Sequence, residues 1–475
     1  MEVKLLGNTS KKYIEEQIRI VATAGAISRF PGNVYEIYEK NNSYEENIKY
    51  IQRVISLGHN SITDHDYLVF GIKDVSPIVE QILIEERFSS FTIKSRREVS
   101  FSDAGFYTPD FHNVDGTVHK DNELLKKYYN GHMKSLFESY NRFMKAGIPR
   151  EDARFILPYC FHSNIVMGID AHVLMNMIIS FTKGKYSNVD ELKKLGEELY
   201  KIMEVRAPYL KKTIDNSKCV PKDLIRDELD GNPKIRNHSR KILGKPILLS
   251  CSQDTDRDIF VSALMRVYGY EYDKANEIYL NNVKDNQELK NKLIKLISLS
   301  KEELKQVNFR FQVPISYASL THLTRHRTHH LLIPDFVPVD NLNQYKIPNS
   351  IIENDYDIRY REIFRDNEML YQAFKHWGVR EEDLIYFHLS GNTTNVVCNM
   401  DGATLEHIAS LRCCNRAQWE IREVVNEMVK LVGEKSEYYR SILGPTCEVY
   451  RECHEGKRSC GKIKQLILED KKGGH

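Results

Sequence analysis

Tyr140–Asp152 reads YNRFMKAGIPRED and Tyr371–Asp383 reads YQAFKHWGVREED. The two stretches share Tyr, Phe, Gly, a β-branched residue, Glu and Asp at the same spacing, about half a chain apart. Repeats are sought before single elements are assigned, because a unit copied in tandem dictates the fold of both copies. A second correspondence lies upstream: an apolar segment beginning at Val75 runs into EERFSSF, and one beginning at Val313 runs into RHRTHHL. This is the pattern of a divergent tandem duplication. A chain of 475 residues also exceeds one ordinary core and suggests two domains of roughly 200 to 250 residues. The expected layout is a first domain over 1–220, a linker over 221–245 and a second domain over 246–475. The joint is placed between Asp215 and Pro246, where charge, Pro and turn residues dominate and apolar periodicity fades.

Within each half, helical patterns prevail. YEENIKYIQRVISLG, ELLKKYYNGHMKSLFESYNRFMKAG, DELKKLGEELYKIME and ATLEHIASLRCCNRAQWEIREVVNEMVKLV carry apolar residues every three or four positions. DYLVFGI and NFRFQV alternate instead and predict strands. Both halves are therefore α/β. Lys and Arg number 68 against 66 Asp and Glu, a net charge of +2. No global field draws such a chain to nucleic acid or an anionic membrane, so any anion site has to be local. No stretch approaches the roughly 20 apolar residues of a membrane span, and the start lacks an apolar signal region. Nine irregularly spaced cysteines are expected as thiols in a reducing cytoplasm.

Leu323–Phe336, LTRHRTHHLLIPDF, concentrates two arginines and three histidines in this nearly neutral chain. Guanidinium forks match phosphate oxygens bidentately, so Arg325 and Arg327 read as an anion site, with a solvated basic turn as the plain alternative. His322, His326 and His330 are spaced i, i+4, i+8 and also fit a metal on one helix face. Pro334 soon after, and the lack of a carboxylate on that stripe, weigh against the metal. Further segments of note are GHNSITDH (Gly58–His65), SFTIKSRR (Ser90–Arg97), PREDARFILP (Pro149–Pro158), LRCCNRAQWEI (Leu411–Ile421) and GPTCEVYRECHEGKRSCG (Gly444–Gly461).

Taken together, these segments resemble the flavin-dependent thymidylate synthases, the ThyX family. Its hallmark is RHRxxSxxxxSxR, joined by a later LR…AQWEI helix, a GHxSxxxH-like segment, a PREDAR-like helix start and, in many members, a closing GPxC…C.EGK.SCG. The resemblance implies two tandem ThyX-like domains, each a small mainly antiparallel sheet with long helices. It also implies methylation of dUMP to dTMP with FAD, with NADPH and methylenetetrahydrofolate as co-substrates. Cofactors would carry the hard chemistry while protein groups orient and polarise.

The departures from that pattern are informative. In the first half the RHR position reads Glu85, Glu86, Arg87, and carboxylates there would repel a pyrophosphate. Phe181 stands at the place of the uracil-side arginine. In the second half the serine and arginine of the hallmark align with Asp335 and Val337, and the PREDAR arginine with Leu384. Neither half completes a site alone. In the resembled homotetramers one chain supplies the RHR end and the uracil-side arginine, and a neighbour supplies the SxR loop and the PREDAR arginine. The losses follow that division, which implies a composite site from both halves and a homodimer forming a pseudo-tetramer with two working pockets.

By the same resemblance, Arg325, His326 and Arg327 would contact flavin phosphates. Ser95, Arg96, Arg97 and Arg154 would hold the nucleotide phosphate, with His322 and Arg325 also facing substrate. Arg412 would sit at the uracil edge, unless it is a surface arginine paired with Glu406 or Glu420. His59, Ser61 and Asp64 would approach the flavin, with Ser300, Glu302 and Lys305 at those places in the second half. Asp401 and His407 would flank the cofactor. Each of these polar groups reads equally as a helix cap or a satisfied core residue. Ile93 replaces an acidic residue of the family's loop and His322 a glutamine, which leaves open C5 modification of another pyrimidine nucleotide. A non-catalytic nucleotide- or flavin-binding regulator is the more distant alternative. Cys447, Cys453, His454 and Cys460 are read as a buried structural turn with free thiols rather than a zinc site, and Cys413 and Cys414 as helix packing residues. No metal is expected.

Overall fold

The alternating segments DYLVFGI and NFRFQV become the central strands of two sheets. β1 (Glu2–Asn8), β2 (Tyr67–Val75), β3 (Ser89–Ile93) and β4 (Ser163–Asp170) form an antiparallel sheet in the order β1-β2-β4-β3. β5 (Ile247–Cys251), β6 (Asn308–Ser316), β7 (His330–Leu332) and β8 (Thr393–Asp401) repeat that order as β5-β6-β8-β7. Leu68, Phe70 and Ile72 of β2, and Phe309, Phe311 and Val313 of β6, are buried, as a period of two demands of a strand with one face on a core. The duplication thus extends to topology, and the fold is two small antiparallel sheets with many helices.

The computed structural model describes residues 1–9, 13–218, 242–336 and 342–473. They divide into two units: one within Met1–Arg240, Phe336–Asn343 and Ile347–Gly391, the other within Lys241–Asp335, Gln344–Lys346 and Asn392–His475. Repeat and unit are therefore different things. The long helix of the second repeat, Asp357–His376, belongs to the first unit, beside the long helix Asn122–Lys145 of the first repeat. Aromatic pairs explain why. Phe111 meets Phe374 at 5.1 Å, Tyr129 meets Phe387 at 5.5 Å, and Phe143 stacks on Tyr360 at 6.4 Å. Each such pair adds about 0.5–1.5 kcal/mol beyond its buried area. Within the same core His132 Nε2 lies 3.0 Å from Asn367 Oδ1, and Asn367 Nδ2 donates to the Phe387 carbonyl at 2.7 Å. The expected linker, 221–245, lies mostly outside the described residues.

Two corrections concern helices. The stretch ATLEHIASLRCCNRAQWEIREVVNEMVKLV reads as one helix but forms two, Gly402–Arg412 and Trp419–Gly433. A turn intervenes, with Ala417 N donating to the Cys414 carbonyl at 2.9 Å, and Gln418 caps the second helix by accepting from Ile421 N at 3.0 Å. Arg412 is thereby a helix end rather than a mid-helix position. Aligning Tyr140 with Tyr371 also sets helix Arg150–Ala153 beside Glu381–Leu384 and turn Arg154–Ile156 beside Ile385–Phe387. The counterpart of Arg154 is then Ile385 rather than Leu384.

Each unit uses the same device to seat a short helix. In the first, Ser76 caps helix Pro77–Ile84, and buried Glu191 accepts from Ser76 N at 2.8 Å and from Ser76 Oγ at 2.6 Å. Burial pushes the Glu191 carboxyl up from 4.5 to about 7, against the opposing pull of the Ser76 hydrogen bonds. The folded state then holds a proton that the unfolded state has already lost. Stability from this group is complete below about pH 4.5 and declines as pH rises through about 7. Asp66, raised by burial to about 6 beside Tyr209 and Gln17, acts in the same direction. Chemical denaturation of Glu191→Gln across that range is expected to show a shallower decline than the parent.

Candidate functional site

In the second unit, Ser316 at the end of β6 caps helix Tyr317–Thr324 by accepting from Ser319 N at 3.2 Å. Glu420, 1% exposed, accepts from Ser316 N at 2.8 Å, from Ser319 Oγ at 2.7 Å, and from Ser316 Oγ. Gln418 Oε1 accepts from Ser319 Oγ at 3.0 Å. A carboxylate at a helix N-terminus also opposes the macrodipole favourably. The AQWEI segment thus clamps the start of the helix whose end carries Arg325, His326 and Arg327.

The far end of that helix presents its charges outward. Arg325 and Arg327 are exposed, while His326 between them is 8% exposed. Arg412 Nε donates to His326 Nε2 at 3.1 Å, so that nitrogen has to be an unprotonated acceptor, with the ring proton on Nδ1. Burial, then the charges of Arg412, His329, His407 and Arg325, push His326 down to about 3. His326 is thus neutral near pH 7 and would bring a hydrogen bond rather than a charge to a phosphate. It orients Arg412, and the two arginines beside it carry the positive charge. The alternative pairings of Arg412 do not occur, because Glu406 holds Lys301 at 2.8 Å and Tyr450 at 2.5 Å while Glu420 holds the serine clamp.

The remaining second-unit positions sort by geometry. The exposed His407 ring lies 5.7 Å from that of His326. Asp401 is the cap of helix Gly402–Arg412, accepting from Thr404 N at 2.7 Å, as Asp170 does from Val173 N at 2.8 Å. Capping is the role its carboxylate has within the fold. His322 is buried within its helix. That helix ends at Thr324 and His330 starts β7, so His322, His326 and His330 do not share a helix face. Leu331 and Leu332 pair with Cys398 and Val397 of β8. Val337 lies outside the described residues. Ser300 bonds Glu303 at 3.2 Å, and Glu302 pairs with Lys305 at 2.7 Å.

Gly402 fixes the start of the Arg412 helix. A Cβ there would stand 1.5 Å from Tyr439 Oη and 2.8 Å from the Leu304 carbonyl. Tyr439 is fully buried, edge-on to Phe309 at 5.0 Å, and cannot swing aside. Gly402→Ala is expected to cost about 1–3 kcal/mol through overpacking, read as a lowered denaturation midpoint, whereas the first repeat tolerates Ala171 at this place.

In the first unit, Glu151 gathers two of the predicted phosphate ligands. Its carboxylate accepts from Arg97 Nε at 2.8 Å, and its carbonyl accepts from Arg154 Nε at 3.1 Å. Ser95 Oγ accepts from Arg97 N at 3.3 Å and Glu98 N at 3.4 Å, which fixes the loop. Arg96 does not belong with them. It is buried, ion-paired with Glu80, and stacked 4.9 Å from the Phe161 ring, so it serves the core and not a ligand. His59 and Ser61 are exposed, and Asp64 lies 3.2 Å from His172 Nδ1. The single metal-like group among the described residues, His112, Asp190 and Asp383, already contains a cation: Arg380 reaches Asp190 at 3.1 Å and Asp383 at 2.9 Å.

The terminal cysteines are not a buried turn. None of residues 446–470 is buried, and Cys453 and Cys460 are exposed. Cys413 is buried as expected of a packing residue, but Cys414 is not. The functional residues that sequence reasoning missed are Ser316, Gln418 and Glu420. Their signal was a serine ahead of a short apolar helix, repeated at Ser76, and a glutamate inside an otherwise apolar run.

The thymidylate synthase complementing protein family model matches residues 11–209 and 248–436. A flavin-dependent thymidylate synthase of Geobacter sulfurreducens is 28% identical over 156 residues, 33% of this chain and 65% of that protein. The matched part thus spans slightly less than two thirds of that relative. One from Clostridium tetani is 31% identical over 186 residues, 34% of this chain and 73% of that protein. A Helicobacter pylori flavin-dependent thymidylate synthase solved with FAD and dUMP is 20% identical, with 44% of this chain and 97% of that one covered, at a TM-score of 0.34. No helix among the described residues is long and apolar enough to cross a membrane.

Proposed function

The chain belongs to the thymidylate synthase complementing protein family, and from that premise we propose that it methylates dUMP to dTMP with FAD, using methylenetetrahydrofolate and NADPH. The working site is a composite of the two repeats: Arg325, Arg327 and Arg412 come from the second, and Ser95, Arg97 and Arg154 from the first. Two chains then complete a pseudo-tetramer with two intact pockets. The observation that carries this reading is the Arg412 Nε to His326 Nε2 bond of 3.1 Å, which ties the LR…AQWEI helix end to the RHR end.

The residues present fit a dinucleotide: exposed Arg325 and Arg327 flank a buried, neutral histidine at the end of a clamped helix, a donor set suited to phosphate oxygens. FAD, when bound, supplies the redox and one-carbon chemistry. The chain's own groups position and polarise. Arg97 and Arg154, gathered by Glu151, offer the nucleotide phosphate two guanidinium groups. Arg412, its Nε held by His326, sets a fixed positive charge at the pyrimidine edge, where it favours ionisation at N3 and makes C5 nucleophilic.

The test is a flavin spectrum of the purified chain followed by product analysis with dUMP, NADPH and methylenetetrahydrofolate. A yellow protein that forms dTMP supports the reading. A colourless protein that binds nucleotide without turnover points to a regulator, and flavin with a different modified pyrimidine redirects the substrate.

A further inference from the structure

Helix Gly402–Arg412 is fixed by packing at its start and not at its end. Gly402 sits against Tyr439 and the Leu304 carbonyl with no room for a side chain, and Leu405, Glu406, Ile408 and Ala409 are buried. Ser410, Leu411 and Arg412 are not. Yet the Arg412 guanidinium has to meet its target at one place, because a misplacement of about 1 Å can cost about 10²-fold in rate. The last turn therefore needs a hold other than the core.

The terminal segment supplies one. Thr446–Gly473 contains helix Thr446–Val449, turn Gly456–Arg458 and helix Lys462–Gly473, but none of residues 446–470 is buried. Its ion pairs, Arg451 with Asp470 and Lys462 with Glu448, are open to water and stabilise little because solvent screens them. A cavity of about 70 Å³, whose lining includes Cys414, Cys447, Cys453 and Cys460, lies where the segment meets the turn after Arg412. Polar bonds more than packing join the two.

Those bonds fall on the unpacked half of the helix. Tyr450 Oη donates to Glu406 Oε1 at 2.5 Å. Glu406 is 5% exposed, and its other oxygen accepts from Lys301 Nζ at 2.8 Å, with Lys301 Nζ also 5.6 Å from the centre of the Tyr450 ring. A buried carboxylate needs its donors, so loss of the Tyr450 hydroxyl leaves Glu406 short of one and draws the helix toward water. One turn on, Thr446 Oγ1 donates to the Ser410 carbonyl at 3.4 Å, in the last turn, where helix carbonyls lack intrahelical partners. Past the helix end, Arg416 Nη2 donates to the Ser459 carbonyl at 3.4 Å and Asn415 Nδ2 to Cys460 Sγ at 3.8 Å.

We propose that Tyr450 and Thr446 are positioning residues for Arg412: they hold the Gly402–Arg412 helix at Glu406 and Ser410 and so set where the guanidinium meets the pyrimidine edge. The inference rests on the role of Arg412 in the proposed function. The nucleotide phosphate is left to Arg97 and Arg154, so the effect belongs to kcat and not to KM.

Tyr450→Phe is expected to lower kcat for dUMP about 10-fold, the scale of one hydrogen bond to a charged group, with KM within about twofold of the parent. Thr446→Val, which removes a longer bond to a neutral acceptor, should lower it about threefold. Turnover is counted per bound flavin, so a poorly folded fraction does not enter. The deciding measurement is Tyr450→Phe in the Arg412→Ala background, where it should change turnover by less than about twofold because no guanidinium is left to misplace. A merely structural role would cost the same in both backgrounds. Equal losses in both, no loss in either, or a raised KM at unchanged kcat would overturn the inference while Arg412→Ala alone stays impaired. Arg412→Ala turning over like the parent would overturn the catalytic reading itself, and this inference with it.

Discussion

Arg412→Ala is expected to reduce turnover of dUMP by about 10²–10³-fold, the loss typical of one donor aimed at developing negative charge, or about 2.7–4 kcal/mol. Flavin content should survive, because Arg325 and Arg327 are untouched. Steady-state kinetics beside an absorbance measurement of bound flavin separates the two quantities. Arg412→Lys is informative in a second way. It keeps the charge but not the Nε–H that Arg412 gives His326 at 3.1 Å, so it should recover only part of the loss. His326→Gln, which keeps an acceptor near the same place, should fall closer to the parent than His326→Ala. Turnover of Arg412→Ala within a few-fold of the parent would remove Arg412 from the chemistry.

Glu420→Ala should be the most damaging single change to stability, at about 2–4 kcal/mol, because it strands Ser316 N and the Ser316 hydroxyl in a buried place and leaves Ser319 Oγ only the Gln418 oxygen. Those donors bond Glu420 in the folded chain. Glu420→Gln keeps acceptor capacity and should cost less. Thermal and chemical denaturation measure the loss, and limited proteolysis should show the second unit opening before the first. Because the same helix ends in Arg325 and Arg327, flavin affinity is expected to fall together with stability.

The sheets were legible because a strand with one buried face repeats every two residues, and the duplication because its copies keep Tyr, Phe, Gly and Asp in register. Other features depend on partners that no local pattern names. Arg96 and Arg97 are neighbours of the same type, yet one enters the core against Glu80 and the other faces Glu151. Only the path of the loop decides which. The helix break at Cys413–Ala417 was hidden because apolar spacing continues across it and Gln is not among the strongest cap residues. His326 seemed a charge by composition, whereas burial among other cations makes it neutral. That Cys414 lines the same cavity as Cys447, Cys453 and Cys460 is visible only in the folded chain.

The exchange of the Asp357–His376 helix into the first unit means that neither copy of the duplicated polypeptide is self-sufficient any longer. Severed at the joint between the copies, the leading piece would bare Phe111, Tyr129 and Phe143 to water, and the trailing piece would carry Tyr360, Phe374 and Phe387 equally uncovered. Either half expressed by itself is therefore expected to precipitate, whereas co-expressed halves should recover a folded assembly.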